Sequence, residues 1–252
     1  MERRALIVYC DNTPSGPLPG PSHDFSNYVQ YLTSPLGGAW YSSEILGLHN
    51  PTAHEVTTTG CSFLNEADYS FVIFTGHGYI LKSENSQRQY LELADKDISI
   101  RELKSSSPRQ LFIIDACRGY QPITEGVTKI GSALESFQNF TDLASISRNL
   151  FDESVLAAER GLTVLYAASE NESALDTDNG AAYLLSLRDA AKQWRTESNS
   201  RVLPANQAHS LATNLLEARF GDDTEQQPTM NKEKRLRYFP FAVNPWTIVN
   251  FN

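Results

Sequence analysis

The chain has 252 residues, of which 40% are hydrophobic and 20% charged, with a formal net charge of −9 at pH 7. This composition is typical of a soluble globular protein with one large core, and no stretch approaches the roughly 18 apolar residues of a membrane span. The acidic balance disfavours nucleic acid as a partner, and three widely spaced cysteines argue against a disulfide framework or a zinc site.

Alternating strands and helices are predicted from the N-terminus onward. The apolar run from Ala5 to Cys10 is too short for a signal peptide and is interpreted as the first strand. A loop rich in proline and glycine follows, and then a helix that Ser22 or Asp24 caps and Pro35 ends. The next predicted elements are a short strand at 44–48, a helix at 52–66, a strand at 69–75, a hairpin at 79–93 and a short helix at 99–106.

The run from Leu111 to Ile114 has no amphipathic alternation, which indicates a central parallel strand covered on both faces. The strand, helix, strand order around it predicts an α/β fold with a mostly parallel sheet. Beyond it the pattern predicts a long polar loop, a helix at 147–160, a strand at 162–168, helices at 181–195 and 204–220, and a tail at 235–251 that adds an edge strand.

Two strands end in residues suited to covalent chemistry. Cys117 follows the central strand and His77 follows the strand at 69–75, and ligands of open α/β sheets bind beyond the carboxyl ends of strands. Either residue alone is more simply an inert core thiol or a solvent-facing histidine. Together they supply a nucleophile and its base, and the backbone N–H groups of Gly78 and Cys117 would hold an oxyanion.

The block from Asp115 to Gly119, Asp-Ala-Cys-Arg-Gly, resembles the Gln-Ala-Cys-Arg-Gly signature of caspases, which also have a histidine upstream. Thr75-Gly76-His77-Gly78 resembles the Ser-Gly-His-Gly block of metacaspases. The resemblance implies a three-layer α/β/α caspase-like fold and a cysteine endopeptidase with a Cys-His dyad. It also implies one peptidase domain over 1–252, with a larger part at about 1–120, a regulatory loop at about 121–160 and a smaller part at about 161–252.

The first signature position sets the expected specificity. Caspases carry glutamine there and cleave after aspartate, whereas metacaspases and paracaspases carry aspartate, as this chain does at Asp115, and cleave after arginine or lysine. A carboxylate two residues before the nucleophile would pair with a basic side chain at P1, the substrate residue before the cleaved bond. Asp176 resembles a second pocket acid of metacaspases, with one extra residue in this chain, and Asp24 is a third candidate that could equally be a helix cap.

Caspase relatives are often zymogens cut between their two parts, and Lys129 and Arg148 are the processing sites expected from their position. The switch would then be an upstream activating protein or protease, in a stress, immune or cell-death pathway. Protein substrates are the expected partners, with no nucleic acid and no membrane, and the free cysteines predict a cytoplasmic location. No metal site and no cofactor are expected, since the acidic clusters lack a calcium-loop pattern, although many metacaspases need calcium.

Three other interpretations stay open. The first is a catalytically silent caspase-like scaffold or regulatory binding protein, which the intact His77 and Cys117 disfavour. The second is an arginine-directed cysteine peptidase similar to clostripain or gingipain, which are typically secreted and larger. The third is a flavodoxin-like binding domain, for which the loop after the first strand, rich in proline, is a poor phosphate cradle.

Overall fold

The computed structural model describes residues 1–83, 86–119, 141–221, 223–231 and 235–249. Six strands form the central sheet: β1 (Arg3–Tyr9), β2 (Ile45–His49), β3 (Tyr69–Thr75), β4 (Arg109–Asp115), β5 (Gly161–Tyr166) and β6 (Thr229–Met230). Their order is β6-β5-β4-β3-β1-β2, and every neighbouring pair is parallel except β5 with β6. Strands β3 and β4 therefore lie side by side at the centre of the sheet, as their uninterrupted apolar sequences predict.

Helices and short segments cover both faces of this sheet. The longer helices are α1 (Pro21–Thr33), α2 (Thr141–Ala157), α3 (Ala182–Glu197) and α4 (Ala205–Phe220). Their apolar faces form one buried cluster with alternate residues of the strands, and the helical segment at 53–65 and the hairpin after β3 bury the other strand residues in a second cluster. Each central strand is thus apolar on both faces, and the predicted three-layer α/β/α architecture is confirmed.

The remaining elements are short. The small strands are Asn12–Thr13, Gly16–Pro17, Gly78–Ser83, Ser86–Leu91, Ile98–Ser99, Asp176–Thr177, Gly180–Ala181, Val202–Pro204 and Pro240–Val243. The short helical turns are Ser42–Glu44, Ala53–Glu55, Val56–Gly60, Cys61–Asn65, Ile100–Leu103 and Trp246–Val249.

The C-terminal tail differs from the sequence prediction. The tail was expected to add a strand to the edge of the sheet, but Pro240–Val243 pairs with Val202–Pro204 in a separate two-stranded ladder. The edge strand is instead β6, which pairs antiparallel with β5. Only two residues long, β6 has too little sequence for a strand pattern to be recognised.

The first residue of β1, Arg3, is an arginine buried in the core. Arg3 is 0% exposed, and its guanidinium stacks on Trp40 at 4.5 Å and pairs with Asp152 at 3.0 Å and with Glu44 at 3.5 Å. It also donates to the carbonyl of Gly38 at 2.7 Å. A buried charge is tolerated only when it is paired and hydrogen-bonded, so this network ties β1 to α2.

Candidate active site

The register of the two central strands brings the predicted nucleophile and base to the same place. Thr75 is the partner of Asp115 in the β3–β4 ladder, and His77 and Cys117 each lie two residues beyond that pair. Both side chains line one narrow pocket of about 50 Å³ at the carboxyl edge of the sheet. The structure therefore brings His77 and Cys117 together, as parallel pairing of the two strands requires.

Cys117 differs from the other two cysteines in its exposure. Cys10 and Cys61 are buried, and burial raises the pKa of both thiols, which disfavours their thiolates. Cys117 is half-buried, and its Sγ lies 3.8 Å from the carbonyl oxygen of Ala174. Cys117 is therefore the cysteine that a substrate can reach.

The imidazole of His77 is oriented by the loop after β1. Its Nε2 lies 3.2 Å from the carbonyl oxygen of Gly16. A carbonyl oxygen only accepts, so Nε2 carries the proton and Nδ1 keeps the lone pair that can take a proton from a thiol. Gly16 has a φ of +116°, a conformation that favours glycine, so the turn that presents this carbonyl depends on that residue.

The backbone N–H groups of Gly78 and Cys117 are the two expected donors to an oxyanion. Among the described residues, the Cys117 N–H has no acceptor, whereas the next N–H, of Arg118, donates to Glu172. The N–H of Glu92 donates to His77 and that of Ile80 donates to Gly119. N–H groups alternate in direction along a strand, so the N–H of Gly78 points to the same side as that of Ile80, away from its hairpin partner.

Gly78 is a glycine for a packing reason that the sequence did not indicate. We expected a glycine here so that a substrate carbonyl could approach the main chain. A Cβ at this position would lie 2.8 Å from the carbonyl oxygen of Tyr90 and 2.9 Å from Cβ of Ala116. The missing side chain thus lets the hairpin pack closely against the segment that carries Cys117.

Two carboxylates line the pocket and a third lies behind it. Asp115 and Asp176 are lining residues, and each has one buried oxygen, Oδ2 and Oδ1 respectively, without a hydrogen-bond donor in the described chain. Asp24 does not line the pocket: it is 1% exposed and accepts from Thr75 Oγ1 at 2.7 Å and from the N–H of Ala181 at 3.1 Å. The side chain of Asp24 lies behind Thr75 and Ala181, and its contact with a substrate stays a prediction.

Burial and mutual repulsion oppose the ionisation of this acidic cluster. Burial raises the pKa of Asp24 to about 8, and the charge of Asp176 adds to that rise. Burial also raises the pKa of Asp115, with contributions from Asp24 and Asp176, and that of Asp176 itself. A cation in the pocket would favour the ionised form of the lining carboxyls, Asp115 and Asp176.

Several residues that shape the site carry no signal in the sequence. Gly20 donates its N–H to Asp176 Oδ2 at 2.9 Å, and a Cβ on Gly20 would lie 1.8 Å from the other carboxylate oxygen. Gly180, with φ +126°, likewise leaves room for the carboxylate of Asp24, which a Cβ at this position would meet. These contacts join the start of α1 to the hairpin at 176–181. They form only when distant segments of the chain fold together, so no local sequence pattern indicates them.

The two expected processing sites have different outcomes. Lys129 lies outside the described residues. Arg148 lies within α2, donates to Glu44 through both terminal nitrogens and stacks on Tyr41 at 4.0 Å. Proteases bind extended backbone, so a residue held in a helix by a paired side chain is a poor cleavage site in the folded chain.

Among the described residues, no group of three or more His, Cys, Asp or Glu side chains is placed to hold a metal ion. The helices in the described ranges are too short or too polar to cross a bilayer.

Comparison with known proteins shows the fold and the family of this chain. A crystal structure of caspase-1 from Spodoptera frugiperda superposes with a TM-score of 0.58 at 13% sequence identity, over 91% of this chain and 86% of that chain. A sequence comparison with curated proteins gives no significant match. The family model described as the caspase domain matches residues 2–240. The chain therefore belongs to the caspase-domain family of cysteine peptidases.

Proposed function

We propose that this protein is a cysteine endopeptidase that cleaves proteins after arginine, and also after lysine. The observation that carries the proposal is the pocket in which His77 and Cys117 lie beside the carboxylates of Asp115 and Asp176. A basic side chain in this pocket would favour the ionised form of both carboxyls and pair with them, whereas an acidic side chain would find no positive partner there.

The chemistry follows from the roles that these positions can fill. Nδ1 of His77 takes the proton of the Cys117 thiol, and the sulfur attacks the carbonyl carbon of the P1 residue. The N–H groups of Gly78 and Cys117 stabilise the negative oxygen of the tetrahedral intermediate. When the intermediate collapses, the C–N bond breaks and His77 returns the proton to the leaving amine. Water, deprotonated by His77, then attacks the thioester and releases the acid and the thiol.

The preference for a basic P1 residue rests on the free oxygens of the pocket. Asp115 Oδ2 and Asp176 Oδ1 are buried acceptors without donors in the described chain. A guanidinium carries five N–H donors in one plane and can serve two carboxylates together, whereas an ammonium offers three donors from one point. We therefore propose that arginine is preferred to lysine.

We further propose that the chain is a zymogen of the cytoplasm, activated by an upstream protein or protease through a cut in the segment 121–140. Lys129 is the basic residue of that segment, so a peptidase with this specificity could also cut itself there. The role of such an enzyme would be that of an effector in a stress, immune or cell-death pathway.

The test is hydrolysis of matched fluorogenic peptides with Arg, Lys, Asp or Ala at P1. It uses the wild type, Cys117→Ala and the control Cys61→Ala, each before and after limited proteolysis within residues 121–140. Cleavage after Arg that exceeds cleavage after Lys, and that is lost only in Cys117→Ala, supports the proposal. Cleavage after Asp would overturn the assignment of the pocket. If no peptide is cleaved before or after proteolysis, the catalytically silent scaffold becomes the better account.

A further inference from the structure

A glutamine is buried behind the nucleophile. Gln89 belongs to the hairpin strand Ser86–Leu91 and is 5% exposed. Its partner across the hairpin is Ile80, and alternation along the strand puts it on the same buried face as Leu91. A polar side chain is costly to bury unless its polar atoms are hydrogen-bonded.

The amide of Gln89 is hydrogen-bonded at both ends. Its Nε2 donates to the carbonyl oxygen of Cys117 at 3.1 Å, and its Oε1 accepts from Arg118 Nε at 3.0 Å. The partners fix the orientation of the amide, because a carbonyl can only accept and a guanidinium can only donate. The backbone N–H of Arg118 is held in turn by the carbonyl of Glu172 at 2.8 Å.

The same amide also touches the other side of the site. A Cβ built on Gly78 would lie 3.2 Å from Nε2 of Gln89, so the amide packs directly against that glycine. Gln89 therefore lies between the two residues whose N–H groups are proposed to hold the oxyanion. A hydrogen bond to the Cys117 carbonyl restrains rotation about the Cα–C bond of Cys117, and with it the directions of the Cys117 N–H and Sγ relative to Gly78.

We propose that Gln89 is a positioning residue that sets the geometry of the oxyanion site through the Cys117 carbonyl. The inference rests on the proposed peptidase function. It predicts that loss of the amide slows the chemical step while substrate binding, which depends on Asp115 and Asp176, stays the same. Mispositioned oxyanion donors lower kcat rather than raise KM.

The first readout is structural and does not need activity. Cysteine labelled with ¹³C at the carbonyl gives three resonances, from Cys10, Cys61 and Cys117, and Cys117→Ala identifies the third. In Gln89→Met the Cys117 resonance should move as its carbonyl loses a donor, while those of Cys10 and Cys61 stay in place and report an intact fold. An unchanged Cys117 resonance overturns the proposal. If the wild type cleaves no peptide, the proposed function fails, and this readout still decides whether Gln89 holds Cys117.

The second readout is kinetic. Gln89→Met should lower kcat about tenfold to a hundredfold with KM within about twofold, whereas Gln87→Met, an exposed glutamine of the same strand, should leave both unchanged. In Gln89→Glu the ionised carboxylate still accepts from Arg118 but cannot donate to the Cys117 carbonyl, so this variant keeps the shape of the side chain and loses only that hydrogen bond. We expect its kcat to fall as far as that of Gln89→Met. Wild-type kcat in Gln89→Glu would mean that Gln89 acts by packing alone.

Discussion

The carbonyl oxygen of Gly16 lies 3.2 Å from Nε2 of His77, so a backbone group in the first loop orients the proposed catalytic base. Nothing lies within 4 Å of a Cβ built on Gly16, so Gly16→Ala changes the conformational preference of the turn without a clash. Because φ is +116°, we expect the turn to shift and kcat to fall about tenfold, with little change in KM. Ser15→Ala, a substitution of an exposed residue in the same turn, is the control. Equal kcat in both variants would contradict a role for the Gly16 carbonyl.

The acidic pocket predicts a loss of affinity for basic substrates when one carboxylate is neutralised. Asp115→Asn removes a buried carboxyl that would ionise and pair with P1 arginine, and we expect kcat/KM for an arginine peptide to fall about a hundredfold. Asp178→Asn removes an exposed charge from the neighbouring hairpin and should change kcat/KM less than about twofold. A comparable loss in both variants would indicate long-range steering rather than a P1 pocket.

The same cluster makes stability depend on pH in a defined direction. The pKa of an unfolded aspartate is about 3.9 and that of Asp24 in the folded chain is about 8. Between these values the folded chain binds more protons than the unfolded chain, so the free energy of unfolding falls as pH rises. In Asp24→Asn this decline should be shallower from about pH 5 to about pH 8, as measured by urea unfolding. A decline as steep as in wild type would show that Asp24 is ionised when the pocket is empty.

Gly78→Ala tests the packing of the hairpin against the nucleophile. The added methyl group would meet the Tyr90 carbonyl at 2.8 Å, which is too close for either atom to tolerate without movement. The hairpin should move away from Ala116 and take the Gly78 N–H out of position, and we expect kcat to fall about 100-fold or more. Wild-type kcat in this variant would remove Gly78 from the oxyanion site.

The buried arginine predicts a large and specific loss of stability. Arg3→Met leaves Asp152 without the Arg3 guanidinium and Glu44 with Arg148 alone, and the free energy of unfolding should fall by about 3–5 kcal/mol. Arg4→Met is the matched control, because Arg4 pairs with an exposed Glu2 and should cost less than about 1 kcal/mol. Denaturant unfolding of the two variants gives both values. Similar values would mean that the Arg3 network contributes little.

The sequence predicted the parts of the molecule that depend on periodicity. The apolar runs of β3 and β4 placed two buried strands at the centre, and parallel pairing then put His77 and Cys117 at one edge. The prediction that the tail adds the edge strand was wrong. The edge strand is β6, which is only two residues long and therefore has no sequence pattern of its own.

The parts of the site that the sequence did not predict depend on backbone groups and on contacts between distant residues. The Gly16 carbonyl and the Gly20 N–H have no side-chain signature, and Asp24 is separated from the pocket only by tertiary packing. Gln89 carries a partial signal, because alternation along the hairpin puts its amide on the same face as Ile80 and Leu91. The burial of Arg3 has no signal in the sequence, because Trp40 and the helix α2 cover it only through tertiary packing.

Covalent capture of the nucleophile tests the central claim most directly. Peptidyl fluoromethyl ketones with arginine or aspartate at P1 would be incubated with the wild type, cut and uncut within 121–140, and the modified cysteine mapped by mass spectrometry. We predict an adduct on Cys117 with the arginine reagent, none on Cys10 or Cys61, and none with the aspartate reagent. An adduct formed equally with both reagents, or no adduct on Cys117, would contradict the account.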